Sequence, residues 1–123
     1  MSDELKTLSG HAVLVCDPDG PVLASEADAL DLIGSTWGGA EIEWLALPVT
    51  RLSEAFLTLR TGLAGAVIQK FVNYRLKLAL VGDISEPVSA SKALADFVRE
   101  SNDGAHVWSV PDIEALEARL GRA

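Results

Sequence analysis

Leu59-Arg60-Thr61-Gly62-Leu63-Ala64-Gly65-Ala66-Val67-Ile68-Gln69-Lys70-Phe71-Val72-Asn73-Tyr74-Arg75, followed by Leu78-Ala79-Leu80-Val81-Gly82-Asp83-Ile84-Ser85, decides the fold of this chain. Leu63, Val67 and Phe71, with Ala64 and Ile68, recur at the spacing of one helix face, which predicts a helix over 63–75. Residues 78–81 are apolar without alternation, as in a strand covered on both faces. The helix therefore runs straight into a buried strand. Arg60 and Thr61 lie just before the helix, and Asp83 and Ser85 just after the strand. Those are the places where an open α/β sheet presents its functional loops.

The same alternation extends outward from this stretch. Residues 12–16 predict a strand, Asp17-Pro18-Asp19-Gly20 a tight turn, and 21–24 a second strand, so that these two form a hairpin. Ser25 is placed to cap a helix carrying Ala29, Leu32 and Ile33 inward, and Gly38-Gly39 to end it. Residues 44–49 are a third strand, and 50–59 a connecting loop with room for a turn of helix. Ser85 or Ser89 begins a third helix with Leu94, Phe97 and Val98 inward, stopped by Asn102 and Gly104. Residues 106–110 are the fifth strand, and Asp112 caps a last helix through Leu120. The order β-β-α-β-α-β-α-β-α implies a mainly parallel central sheet with an N-terminal hairpin. Phe71 is expected to pack against a buried Val81.

At 123 residues the chain is long enough for one hydrophobic core. Residues 1–10 are polar and predict a loose segment, or at most an edge strand; 11–123 form a single domain. The net charge of −8 argues against nucleic acid and against anionic lipid, both of which attract basic faces. The one cysteine, Cys16, lies in an apolar run and reads as a buried thiol. No intrachain disulfide can form, which suits a reducing compartment. No secretory signal opens the chain and no apolar run reaches membrane-span length, so a cytoplasmic protein is expected.

The order resembles the STAS fold of sulfate transporters and anti-sigma factor antagonists. That family carries an Asp-Ser-Ser-Gly-Leu-Gly-like segment at the start of its second helix, then a strand ending in Val-Gly and a loop with Pro. Here Leu59-Arg60-Thr61-Gly62-Leu63-Ala64, Leu80-Val81-Gly82 and Pro87 occupy those places. The resemblance implies a STAS-like α/β domain, with Thr61 at the position of the phosphorylatable serine. Leu59 stands for the family's Asp and Arg60 for its first Ser. The string Arg60-Thr61-Gly62-Leu63-Ala64-Gly65, Gln69 to Arg75 and Val81-Gly82-Asp83-Ile84-Ser85 also resembles a family of small bacterial proteins, a domain of unknown function. That likeness runs from about 12 to 120 and implies a bacterial origin but no activity.

The candidate site is a corner made by Arg51 after the third strand, Arg60 and Thr61 before the second major helix, and Asp83 and Ser85 after the fourth strand. Such a corner suits a phosphate, a carboxylate or a partner's acidic side chain. Each residue also has a structural reading. Thr61 serves as a helix cap, Arg60 pairs with Asp83, and Gly62 and Gly65 allow close helix–sheet packing. Gln69, Lys70, Asn73 and Tyr74 form either a solvated helix face or a recognition face. Trp37, Trp44 and Trp108 are core or rim residues.

Catalytic signatures are scarce. His11 and His106 stand apart without partners at metal-ligand spacing, so no metal and no cofactor are expected. No Gly-x-Ser-x-Gly elbow and no P-loop string occur. Ser89-Ala90-Ser91-Lys92 matches Ser-x-x-Lys but reads as helix capping. Asp17 and Asp19 read as polar turn residues. The expected function is a non-catalytic protein-interaction or regulatory module working through the corner and the helix face. The alternative is a sensor of an anionic small molecule, or a small enzyme, on the same corner. A homo-oligomer is the third reading.

Overall fold

The computed structural model describes residues 3–36 and 41–122. Five strands form one sheet in the order of the chain: β1 (Glu4–Leu8), β2 (His11–Val15), β3 (Trp44–Pro48), β4 (Lys77–Val81) and β5 (Val107–Val110). β1 is antiparallel to β2, and every later neighbour is parallel. Helices α1 (Glu26–Gly34), α2 (Glu54–Leu57), α3 (Leu63–Asn73), α4 (Ser85–Ala90), α5 (Lys92–Asp103) and α6 (Ile113–Arg122) fill the connections and follow the last strand. Among the described residues no helix is long and apolar enough to cross a membrane.

The N-terminal hairpin forms one strand earlier than expected. Glu4–Leu8 is an edge strand rather than a loose segment, and it turns onto β2 through Ser9 and Gly10. Both turn residues have positive φ, 49° and 85°, as a two-residue hairpin turn matched to strand twist requires. The expected turn at 17–20 is present, with Asp17 Oδ1 accepting the Asp19 N–H at 2.9 Å. The segment after it is not a hairpin partner. Among the described residues its one ladder contact is a single parallel bridge from Leu23 to Leu52.

Alternation along each strand divides the core into two layers. Leu14, Leu45, Leu47, Leu78 and Leu80 point to one face, where Ala29, Ile33, Phe56, Ala64, Val67 and Phe71 cover them. Strands added successively in one direction by right-handed crossovers leave their helices on that one face. The other face shows Val13, Trp44, Ala46, Ala79, Trp108 and Val110, and it meets Leu116 and Leu120 of α6. The expected contact between Phe71 and Val81 is absent, because Val81 points to the α6 face. Phe71 is buried with Leu78 and Leu80 instead.

Trp44 and Trp108 meet across β4 with ring centroids 4.4 Å apart. They can do so because β4 presents only the methyl of Ala79 opposite Trp108. Lys77 lies 5.7 Å from one ring and Arg119 3.9 Å from the other, closing a cation–indole–indole–cation stack. Trp44 and Trp108 are core residues, as expected; Trp37 and Gly38-Gly39 lie outside the described residues.

Helix ends follow local chemistry. The Ser25 hydroxyl accepts from Asp28 N–H, and Asp112 Oδ1 accepts from Ala115 N–H. α3 stops at Asn73 in a Schellman turn, with Leu76 N–H bonding Phe71 C=O and Arg75 N–H bonding Val72 C=O. Arg75 takes the left-handed position there, at φ 58°. The expected single third helix is two helices. The chain breaks at extended Ser91, whose hydroxyl caps α5 through Leu94 N–H.

Candidate functional site

The loops after β2, β3 and β4 all open at the carboxyl ends of the parallel strands. The structure separates the residues that the sequence groups there. Arg51 ends a short 3-10 turn (Val49–Arg51) and is only 5% exposed. Its Nε donates to Pro21 C=O at 2.9 Å and its Nη1 to Asp17 C=O at 3.2 Å. The backbone joins in, with Leu23 N–H bonding Arg51 C=O at 2.6 Å. Arg51 therefore holds the β2–α1 loop against the β3 exit, and it lines a different cavity from Arg60. The expected corner of two converging arginines does not form.

Arg60 lies in the 3-10 turn Leu59–Thr61 and is exposed. Among the described residues no carboxylate comes within 4 Å of its guanidinium. It borders a groove of about 290 Å³ with Leu57, Thr58, Ser91 and Ala93, between this turn and the break that separates α4 from α5. The expected pair with Asp83 is absent. Asp83 is fully exposed and accepts the Ser85 N–H at 2.9 Å. Hydrogen bonds from the Ser85 hydroxyl and backbone hold its carboxyl below the usual range.

Thr61 serves the turn more than the helix. Its hydroxyl lies 2.6 Å from Ala55 C=O and 2.9 Å from Thr58 C=O, and accepts a longer 3.3 Å contact from Leu63 N–H. The residue in the cap position is Gly62, at φ 78°. That left-handed conformation explains this glycine. Close helix–sheet packing does not explain Gly65, since a Cβ there would meet open space.

The polar residues of α3 lie on its solvent side. Gln69 Nε2 donates to Asn73 Oδ1 at 2.9 Å. Lys70 reaches Glu26 at 3.6 Å and links α3 to α1. Tyr74 caps the far end of α3, half-exposed, beside a cavity bordered by Thr36, Glu41 and Arg75. With a rise of about 1.5 Å per residue, it stands a full helix length from Arg60.

Two charged clusters escape the sequence reading. At the entrance to β2, β3 and β4, His11 Nδ1 bonds Glu43 Oε2, and Lys77 lies 3.6 Å from Glu43 Oε1. The hydrogen bond from His11 draws the Glu43 carboxyl below its ordinary range; burial opposes it, and the electrostatic pull of His11 and Lys77 adds to the lowering. The second cluster is Asp3, Asp28 and Asp31, which share a cavity with Arg51. The signal for it was the spacing Asp28, Asp31, Leu32, Ser35 along one flank of α1. Cys16 lies near Asp3 and Arg51. Burial, reinforced by the Asp3 carboxylate and opposed by Arg51, pushes its thiol up to about 12, so it stays protonated at neutral pH.

A family model described as a domain of unknown function (DUF4180) matches residues 8–120. Comparison with curated proteins and with solved structures gives no match. The chain belongs to the DUF4180 family.

Proposed function

We propose that this DUF4180 domain is a non-catalytic interaction or regulatory module of the bacterial cytoplasm, with a STAS-like fold, and that it engages its partner through the rim around Arg60. The observation that supports this reading is Arg60 itself. It is an exposed cation without a carboxylate neighbour among the described residues, at the mouth of a groove outside the carboxyl ends of the strands. In a chain of net charge −8, such an exposed cation is a natural contact for an acidic group. Asp83 and Ser85, the first residue of α4, belong to the neighbouring exit from β4. Gln69, Lys70, Asn73 and Tyr74 extend the surface along α3. Thr61 supports the turn, and its modification is not part of this reading.

The test is co-purification of the tagged chain from its native host, beside Arg60→Glu. A partner retained by the wild type and lost from the variant, at equal melting temperature, supports the reading. A partner retained equally by both removes Arg60 from the interface. The unpaired guanidinium also favours a second reading, a sensor of a small anion. Phosphate that saturably raises the melting temperature of the wild type and not of Arg60→Ala selects it.

A further inference from the structure

Arg51 lies in the wall of a second cavity, apart from the Arg60 rim. The cavity measures about 210 Å³ and lies between the β2–α1 loop and the outer flank of α1. Arg51, Asp3, Asp28, Asp31, Leu23 and Leu32 line it. The guanidinium is held rigidly. Two of its donors are taken by the Pro21 and Asp17 carbonyls. Its plane packs so closely on Gly20 that a Cβ there would come within 2.6 Å of Cζ. A guanidinium has five N–H donors, so donors remain beyond the two in use.

The charges in this cavity are not matched by the protein alone. No carboxylate among the described residues lies within 4 Å of the Arg51 guanidinium. A buried cation hydrogen-bonded only to neutral carbonyls is an incomplete arrangement. An anionic group would complete it. Yet three carboxylates share the same walls and would repel a ligand that is only an anion. Asp3 Oδ1 accepts Asp17 N–H and Asp28 Oδ2 accepts Ala24 N–H, each at 2.8–2.9 Å. The Asp31 carboxylate makes no hydrogen bond or ion pair with any described residue. The free carboxylate capacity faces the same space as the buried cation. Leu23 and Leu32 supply an apolar surface, and the volume falls below the roughly 300–1,000 Å³ of pockets for drug-sized ligands.

From this juxtaposition we infer that the cavity binds a small zwitterion of the α-amino-acid class. Its carboxylate lies on Arg51, its ammonium group on the Asp28 and Asp31 side, and a short apolar side chain against Leu23 and Leu32. The event is binding alone, with no covalent step.

The experiment uses the full chain and five probes: L-alanine, L-valine, L-leucine, L-methionine and L-phenylalanine, screened by saturation-transfer NMR. The strongest is then titrated calorimetrically beside its deaminated acid and its decarboxylated amine. We expect saturable binding that weakens by at least about tenfold when either charge is removed, the scale of one charge-assisted hydrogen bond. Asp31→Asn, which disturbs no internal bond, is expected to weaken binding about threefold or more at an unchanged melting temperature. Arg51→Lys is expected to abolish binding, and because it also loosens the loop, the Asp31 variant carries the decision. The inference is overturned if none of the five probes binds saturably. It is overturned equally if the deaminated acid or the amine binds as tightly as the amino acid, or if Asp31→Asn binds like the wild type.

Discussion

Arg51 and Arg60 read alike in the sequence, each a lone arginine in a polar loop after the third strand, yet the fold gives them opposite roles. Arg51 meets another segment of chain, the 17–23 loop, whose carbonyls turn inward and accept its N–H groups. Arg60 meets a groove and no accepting carboxylate among the described residues. The contrast teaches that an arginine's work is set by the backbone that passes in front of it. A tethered guanidinium carries stability; a free one is available for recognition.

The core sets the scale on which that contrast is read. Phe71→Ala is expected to cost about 3–5 kcal/mol in denaturant melts, since the ring is fully enclosed in the layer between α3 and the sheet. A loss below 1 kcal/mol would mean that α3 contributes little to the fold. Arg51→Ala comes next, at about 2–3 kcal/mol, because it takes the Arg51 donor from the Pro21 carbonyl, leaves the Asp17 carbonyl with Gly20 N–H alone, and empties space under the loop. If it melted like the wild type, the tether would be only geometric and the contrast would fail.

Thr61→Asp sharpens the comparison from the side of the turn. The hydroxyl donor is lost and a carboxylate is set against Ala55 and Thr58 carbonyls, so destabilisation by about 1–2 kcal/mol is expected, with Thr61→Ser near wild type. Equal stability of the Asp variant would restore Thr61 to a simple capping role.

A smaller effect belongs to Glu43, a tethered carboxylate. Its lowered folded-state value means that its contribution is present above the unfolded value of 4.5 and is lost as pH falls through the folded value. Glu43→Gln should therefore melt with a shallower acid-side decline than the wild type as pH falls below 4.5, and in parallel with it above that pH. Curves parallel throughout would show that the His11–Glu43–Lys77 cluster contributes nothing. Smallest of all, Arg60→Ala should shift stability by less than about 0.5 kcal/mol, as for an exposed side chain without partners. A larger loss would place Arg60 among the tethered residues and remove the ground for assigning it to a partner.

The parts of the fold that were legible are those whose chemistry leaves one option. Trp44–Pro48, Lys77–Val81 and the stripe of α3 are apolar in patterns that only burial explains. β1 was not legible, since Glu-Leu-Lys-Thr-Leu faces solvent along most of its length and carries almost no apolar signal. The conspicuous Asp17–Gly20 turn drew the hairpin to the wrong pair of segments. The break at Ser91 was hidden by neighbouring serines that are equally able to cap. At the candidate site, the position of Arg60 and Thr61 before α3 could be read from spacing. The burial of Arg51 could not, because charged residues are exposed by default and the exception depends on a loop some thirty residues away. The acidic flank of α1 was visible as a spacing, and only Arg51 on the opposite wall gives it meaning.

The α6 cover has a consequence for how the chain folds. α6 follows all five strands in sequence and reaches both edge strands, β1 and β5. Until α6 packs, Trp44 and Trp108 stand on a bare side of the sheet. A domain with α6 undocked has one covered layer and one adhesive surface, open to chaperones or to a neighbouring chain. With α6 docked, the Ser9 hydroxyl donates to Glu117 C=O at 3.1 Å, and the turn between β1 and β2 is latched to that helix.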